Sequence, residues 1–373
     1  MAPQRTRSLA RAAAGARGLR RAAPVVSLVL GLGLTLAACG GTTRDSEEER
    51  DDPVGEAATA DPDAEYRSDL SVAMLPKSVN NPYFEASSAG AERVVAELGG
   101  DYEYTGPSDA SASSQLSYVN TLSQQATDVV LLSANDPNAL CSALEQARSL
   151  ETAVVTFDSD VAPECRDVFV SQVDGVEVGR ALVEMVAEQI GGEGEIAVLS
   201  ATANATNQNA WIEVMERELA ENPDYAGIEL VTVAYGDDED EKSFRETQGL
   251  LQANPDLRAI VSPTTVGIAA AARYLQGSEY QGEVALTGLG TPNQMREFVA
   301  DGTVTEFALW DPTRLGELAA YAGAAVASGI ITGAEGETFT AGELGAYTVG
   351  ADGVITLGPP TRFNAENIDD FDF

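Results

Sequence analysis

From residue 70 to the C-terminus the chain alternates short apolar runs with amphipathic stretches of helical spacing, and this rhythm restricts the fold more than any other feature of the sequence. Strand-length runs fall at 70–75, 102–105, 129–132, 153–157, 168–170, 196–199, 228–233, 259–261, 284–287 and 304–308. Helical spacing fills most gaps, over 83–98, 112–124, 176–190, 208–220, 242–253, 266–276 and 315–328, with a further helix beginning near Cys141. Strand and helix in alternation with short loops predict parallel sheets built of right-handed crossovers. Ten strands are too many for one comfortable open sheet, and the pattern divides into two similar halves near residues 171–175. The expected fold is therefore α/β, with two doubly wound parallel-sheet lobes facing each other across a cleft.

The residues ahead of this pattern carry an address. Arginines cluster at the start (Arg5, Arg7, Arg11, Arg17, Arg20, Arg21), an apolar stretch follows over 24–38, and it ends Leu36-Ala37-Ala38-Cys39-Gly40. Fifteen residues fall short of the roughly 20 a membrane-spanning helix needs, so the segment reads as a secretory signal. Its ending resembles the bacterial lipobox, in which the cysteine, here Cys39, is lipidated and becomes the new N-terminus. Residues 40–69 are acidic and poor in large apolar side chains, which predicts a disordered tether. Export also bears on Cys141 and Cys165, an even pair near one edge of the expected sheet, which are predicted to form a disulfide.

Composition removes whole classes of function. The chain has no histidine, so imidazole bases, Ser-His-Asp systems and imidazole metal sites are excluded. Its formal net charge is −37, with the basic cluster confined to the leader, which disfavours nucleic acid or an anionic lipid surface as partner. No glycine-rich phosphate loop follows any strand, and no metal or cofactor is expected.

In open α/β sheets ligands bind beyond the carboxyl ends of the strands. Those ends carry polar and aromatic groups: Lys77 with Asn81, Tyr83 and Phe84 after the first strand, Asp158 and Asp160 after the fourth, Asn207, Gln208 and Trp211 after the sixth, Pro263 and Thr265 after the eighth, Gly290 after the ninth and Trp310 after the tenth. Carboxylates, amides, one lysine and aromatic rings suit a small polyhydroxylated ligand, since they supply acceptors, donors and a cover for its C–H face. On an extended segment Asp158 and Asp160 would point the same way, both into the cleft. Plainer roles compete: Asn207 or Asn209 fits a helix cap, and Trp211 fits a core position as well as a site.

At these residues the chain resembles the substrate-binding proteins of bacterial ABC sugar importers, with the ribose-binding type of fold. The carrying strings are Met74-Leu75-Pro76-Lys77, Asn81-Pro82-Tyr83-Phe84, Thr156-Phe157-Asp158-Ser159-Asp160, residues 200–211, Ser262-Pro263-Thr264-Thr265, residues 288–295 and Asn367-Ile368-Asp369-Asp370-Phe371, and the likeness runs over 70–373. It is strongest to the rhamnose-binding branch, which is related to the autoinducer-2 binders. The resemblance implies the type I periplasmic-binding-protein fold with a three-segment hinge. One lobe is expected over 70–172 plus 311–345 and the other over 173–310 plus 346–373, with crossings near 171–174, 310–312 and 344–347. It implies a non-enzymatic monomer, held to the membrane by a lipid anchor only, that takes a small-molecule sugar to an ABC transporter permease. Ligand contacts of the autoinducer-2 binders fall on Lys77, Asp158, Asn207-Gln208, Pro263 and Thr265. Asn207 stands where those binders have a carboxylate, and Thr265 where they have a small apolar residue, so the hydrogen-bond complement and the pocket shape both differ. L-rhamnose or another deoxy-hexose is the expected ligand.

Three rival readings make different predictions. An autoinducer-2 binder would share the whole build. An exported glycosidase would use Asp158 and Asp160 as its acid pair, which requires carboxyl groups roughly 5 to 9.5 Å apart. A sugar-responsive repressor would need a basic DNA-binding segment ahead of residue 70, but the arginines there belong to the export signal and residues 40–69 are acidic.

Overall fold

A computed structural model describes residues 59–373. Cys39, the leader and most of the acidic segment lie outside the described residues. The last part of that segment, expected as tether, is fastened to the domain: the Tyr66 hydroxyl donates to the Thr340 carbonyl at 2.8 Å, and Arg67 bonds Asp128 at 3.1 Å. An aromatic ring and a guanidinium gave this stretch anchors that its average composition concealed.

The first half runs β1 (Ser71–Leu75), α1 (Pro82–Leu98), β2 (Asp101–Tyr104), α2 (Ala112–Gln124), β3 (Val129–Leu132), α3 (Cys141–Ser149), β4 (Ala153–Phe157) and β5 (Val168–Ser171). The second runs α4 (Gly175–Ile190), β6 (Glu193–Ser200), α5 (Thr206–Glu221), β7 (Gly227–Tyr235), α6 (Asp240–Ala253), β8 (Leu257–Ser262), α7 (Thr265–Leu275), β9 (Ala285–Gly288), α8 (Pro292–Ala300) and β10 (Glu306–Leu309). The chain then returns through α9 (Pro312–Ala327), β11 (Thr338–Thr340), β12 (Ala346–Thr348), β13 (Val354–Thr356) and β14 (Thr361–Asn364).

The first sheet is parallel throughout, in the order β13-β5-β4-β3-β1-β2. Every residue of β3 and β4 is buried, as expected of strands covered by helices on both faces. The second sheet is β7-β6-β8-β9, and a parallel bridge from Leu289 to Ala308 links it to the antiparallel pair β10-β14. Leaving out β13 and β14, both halves therefore have the 2-1-3-4-5 order, in which the ligand crevice opens where the winding reverses, beside the first strand of each half. This is the architecture of the type I periplasmic-binding-protein fold.

Local chemistry sets the elements that carry the site. Helix α1 opens on Asn81, whose side chain accepts from the Tyr83 N–H at 3.0 Å, with Pro82 next, and it closes on Gly99 at φ 80°. Helices α1 and α9 touch through glycines: a Cβ on Gly316 would lie 1.8 Å from the Ser87 carbonyl oxygen, and one on Gly90 2.0 Å from that of Thr313. The disulfide between Cys141 and Cys165 ties α3 to the turn before β5, with the Cα atoms 5.0 Å apart.

The C-terminal course departs from the sequence reading, which gave 346–373 to the second half. Strand β13 pairs in register with β5, and its Ile355 is fully buried there. The chain joins the second half at β14, beside β10, so its last crossing follows Thr356 rather than residue 347. Three-residue strands have too little pattern for their sheet to be read from sequence.

Candidate ligand-binding site

The carboxyl ends of both sheets meet around a small cavity of about 40 Å³. Lys77, Tyr83, Phe84 and Asp158 reach it from the first half, and Asn207, Gln208, Pro263, Thr265 and Trp310 from the second half and the crossing behind it. Asp160 and Gly290 are not among its walls.

Lys77 and Asp158 form its charged floor. Lys77 Nζ lies 3.3 Å from Asp158 Oδ2, with both side chains less than a tenth exposed. The Ser133 hydroxyl at the end of β3 donates to the same carboxylate oxygen at 2.8 Å. A buried glutamine that sequence reasoning passed over holds these loops. Gln115 Nε2 donates to the carbonyls of Pro76 and Ser133, at 2.9 and 2.7 Å, and its oxygen accepts from the Asn135 N–H at 2.9 Å. A polar residue at a buried helix position was the available signal, since such a group must find partners.

The opposite wall begins at α5. Asn207 Oδ1 accepts from Lys77 Nζ at 3.2 Å, and its amide nitrogen donates to the Asp158 carbonyl at 3.2 Å. Asn207 thus bridges the halves rather than capping the helix. Asn209, inside the first turns of α5, does not cap the helix either; its amide donates to the Ala203 carbonyl of the preceding loop at 2.8 Å. Gln208 spends its oxygen on Ser200 Oγ and the Ala201 N–H, at 2.7 and 2.8 Å, which fixes the side chain and leaves its amide hydrogens to the cavity.

Aromatic rings close the remaining side. Trp310 Nε1 donates to the Tyr83 hydroxyl at 2.7 Å. Trp310 packs edge-on against Tyr83 and Trp211, with centroids 6.2 and 5.9 Å apart. Burial, and then the negative charge of Asp158, push the Tyr83 hydroxyl well above the ordinary tyrosine range, so it remains a neutral donor. Trp211 is 4% exposed and serves as core and cavity wall at once.

The expected partnership of Asp158 and Asp160 is corrected. Asp158 has φ 61°, a left-handed conformation that breaks the extended alternation needed to aim both acids one way. Asp160 turns aside instead and takes a bidentate pair from Arg166, at 2.8 Å to each oxygen. The acid pair a glycosidase reading required is thereby taken apart. Gly290, also expected at the site, packs within the second half, where a Cβ would lie 2.7 Å from the Met295 side chain. Its role is close approach of a strand end to α8.

Asn81, named among the strand-end groups, is a wall residue, and so are Asp238, Thr264, Leu289 and Leu309, which sequence reasoning did not single out. Asp238 follows β7, whose carboxyl end also opens toward the cavity. The rule that found Lys77 and Asp158 would have found it too.

The Periplasmic binding protein domain family matches residues 72–330. The chain belongs to that family. Among solved structures it is 55% identical to a sugar ABC transporter protein from Actinomyces odontolyticus, covering 84% of this chain and 100% of that one, with TM-score 0.68. An ABC transporter solute binding protein from Clostridium phytofermentas with bound L-rhamnose is 37% identical, over 82% of this chain and 98% of that one, with TM-score 0.79. LsrB from Clostridium saccharobutylicum, in complex with AI-2, is 26% identical over 81% and 99% of the two chains, with TM-score 0.75. The ribose import binding protein of Bacillus subtilis is 24% identical over 198 residues, 52% of this chain and 61% of that protein's length. Among the described residues no helix is long and apolar enough to cross a membrane.

Proposed function

We propose that this protein is the extracytoplasmic sugar-binding component of an ABC importer, with L-rhamnose as its ligand. The observation that carries the reading is a cavity walled from both halves by amides, hydroxyls and aromatic rings, whose one lysine is already paired with Asp158. Such a site suits an uncharged ligand, because an anion would have to displace Asp158 from Lys77. Leu289 and Leu309 offer the apolar surface that a deoxy-sugar methyl group seeks. The L-rhamnose-bound relative at 37% identity supports the choice of sugar.

The proposed contacts are Lys77, Tyr83, Phe84, Asp158, Asn207, Gln208, Pro263, Thr265 and Trp310. The halves would act as lobes about the three crossings, and ligand drives closure because it bridges groups from both. The permease then receives the closed form, and a lipid on Cys39 keeps the monomer at the outer face of the cytoplasmic membrane.

Calorimetry with L-rhamnose, L-fucose, D-ribose and autoinducer-2 tests the ligand. The two tryptophans of the chain both line the cavity, so their emission should saturate with the same midpoint. Asp158→Ala strands Lys77 beside the ligand and should weaken L-rhamnose by about 2 kcal/mol or more, roughly thirty-fold in Kd. Unchanged affinity would overturn the site. Tight binding of autoinducer-2 without heat from L-rhamnose would transfer the protein to that ligand, as the LsrB likeness at 26% identity suggests.

A further inference from the structure

Asp238 stands at the end of β7, facing Lys77 and Asp158 across the cavity. Asp237 and Asp238 are consecutive left-handed residues, at φ 56° and 54°. Aspartate tolerates that conformation better than most residues, yet two in succession persist only where surrounding structure imposes them. Here the Asp237 N–H is hooked to the Ala201 carbonyl at 2.8 Å and the Glu239 N–H to that of Gly236 at 3.0 Å. The turn directs the Asp238 carboxylate inward, where the Thr264 hydroxyl donates to one of its oxygens. Among the described residues no lysine or arginine pairs with Asp238, in contrast to Asp158 and Asp160. Asp238 is half-buried, and its partial desolvation raises its proton affinity. A half-buried carboxylate that has no cationic partner among the described residues, with free lone pairs facing the ligand space, has a use there. Asp238 also borders the open groove outside the cavity, together with Asn81, so it stands where that space reaches the surface.

We propose that Asp238 is a specificity-determining ligand residue: it accepts hydroxyl hydrogens of a neutral sugar and repels sugars that carry a carboxylate. This rests on the sugar-binding reading and adds the rule by which the site chooses. With Lys77 neutralised by Asp158, Asp238 gives the cavity a net negative charge. Neutral sugars gain an acceptor from it, while uronates meet like charge in a poorly solvated space.

The test titrates the full-length chain and Asp238→Asn by calorimetry with L-rhamnose, L-fucose, D-ribose and D-galacturonate. Asparagine keeps the shape and an oxygen for Thr264, and thermal unfolding verifies that the variant is folded. The natural chain should bind at least one neutral sugar and prefer it over galacturonate by a hundredfold or more. Asp238→Asn should weaken the neutral sugar about tenfold and narrow that preference by at least tenfold. Equal affinity of the natural chain for galacturonate, or an unaltered preference in folded Asp238→Asn, overturns the assignment and leaves the sugar reading intact. No heat from any neutral sugar overturns the sugar reading and this assignment together.

Discussion

Removing the Asp160 carboxylate should damage the fold and spare the ligand. The Arg166 side chain is 2% exposed, and Asp160 gives it two carboxylate oxygens, at 2.8 Å each. Asp160 also accepts from Thr156 Oγ1 and from the Val161 N–H, while Arg166 Nη1 reaches on to the Asp352 carbonyl at 2.9 Å. Asp160→Ala leaves a buried guanidinium with one backbone acceptor, and breaking such a pair costs about 3 to 5 kcal/mol. With an unfolding entropy of about 2.1 cal/mol/K per residue over residues 59–373, this lowers the melting temperature by about 5 to 8 °C. Calorimetric melting and urea unfolding of Asp160→Ala, Arg166→Met and the double variant measure it. The double variant should recover much of the loss, because it removes the stranded charge, and sugar affinity should stay within about twofold. A loss below about 1 kcal/mol, or a large loss of affinity in a folded Asp160→Ala, would refute the reasoning and return Asp160 to the ligand site.

Reducing the Cys141–Cys165 bond, whose cysteines are 24 residues apart, should lower stability by about 3.5 kcal/mol in the chain-entropy treatment, read as a shift of the urea midpoint with and without reductant. Gly316→Ala forces α1 and α9 apart and should cost about 2 kcal/mol or more, whereas Gly249→Ala, a helix position with open space around its Cβ, should gain about 0.5 to 1 kcal/mol; paired melts compare them. The raised proton affinity of Asp238 in the folded state means that the native chain holds this proton more tightly than the unfolded one. Stability therefore falls as pH rises through the unfolded aspartate range toward the folded value, and Asp238→Asn should raise the melting temperature more at pH 7 than at pH 4.

The alternation of apolar runs and helical stretches was sufficient to indicate two parallel-sheet halves, because strands buried on both faces must be continuously apolar and their crossovers must be helical. Strand ends then pointed to Lys77, Asp158, Asn207 and Gln208, since the crevice position follows from topology. The disulfide followed from an even cysteine pair in an exported chain. The direction in which each side chain leaves its loop was decided only by tertiary structure. Asp158 and Asp160 are near neighbours in sequence, yet one left-handed residue sends the first to the ligand space and leaves the second to Arg166, which no spacing rule anticipates. Asp238 needed a neighbouring loop to hold its turn, Gln115 needed the ends of β1 and β3 brought together, and β13 found its sheet only once β5 offered an open edge. Periodicity is local and survives in the sequence; hydrogen-bond partners and charge pairs are chosen by distance in space, so they exist only once the chain has folded.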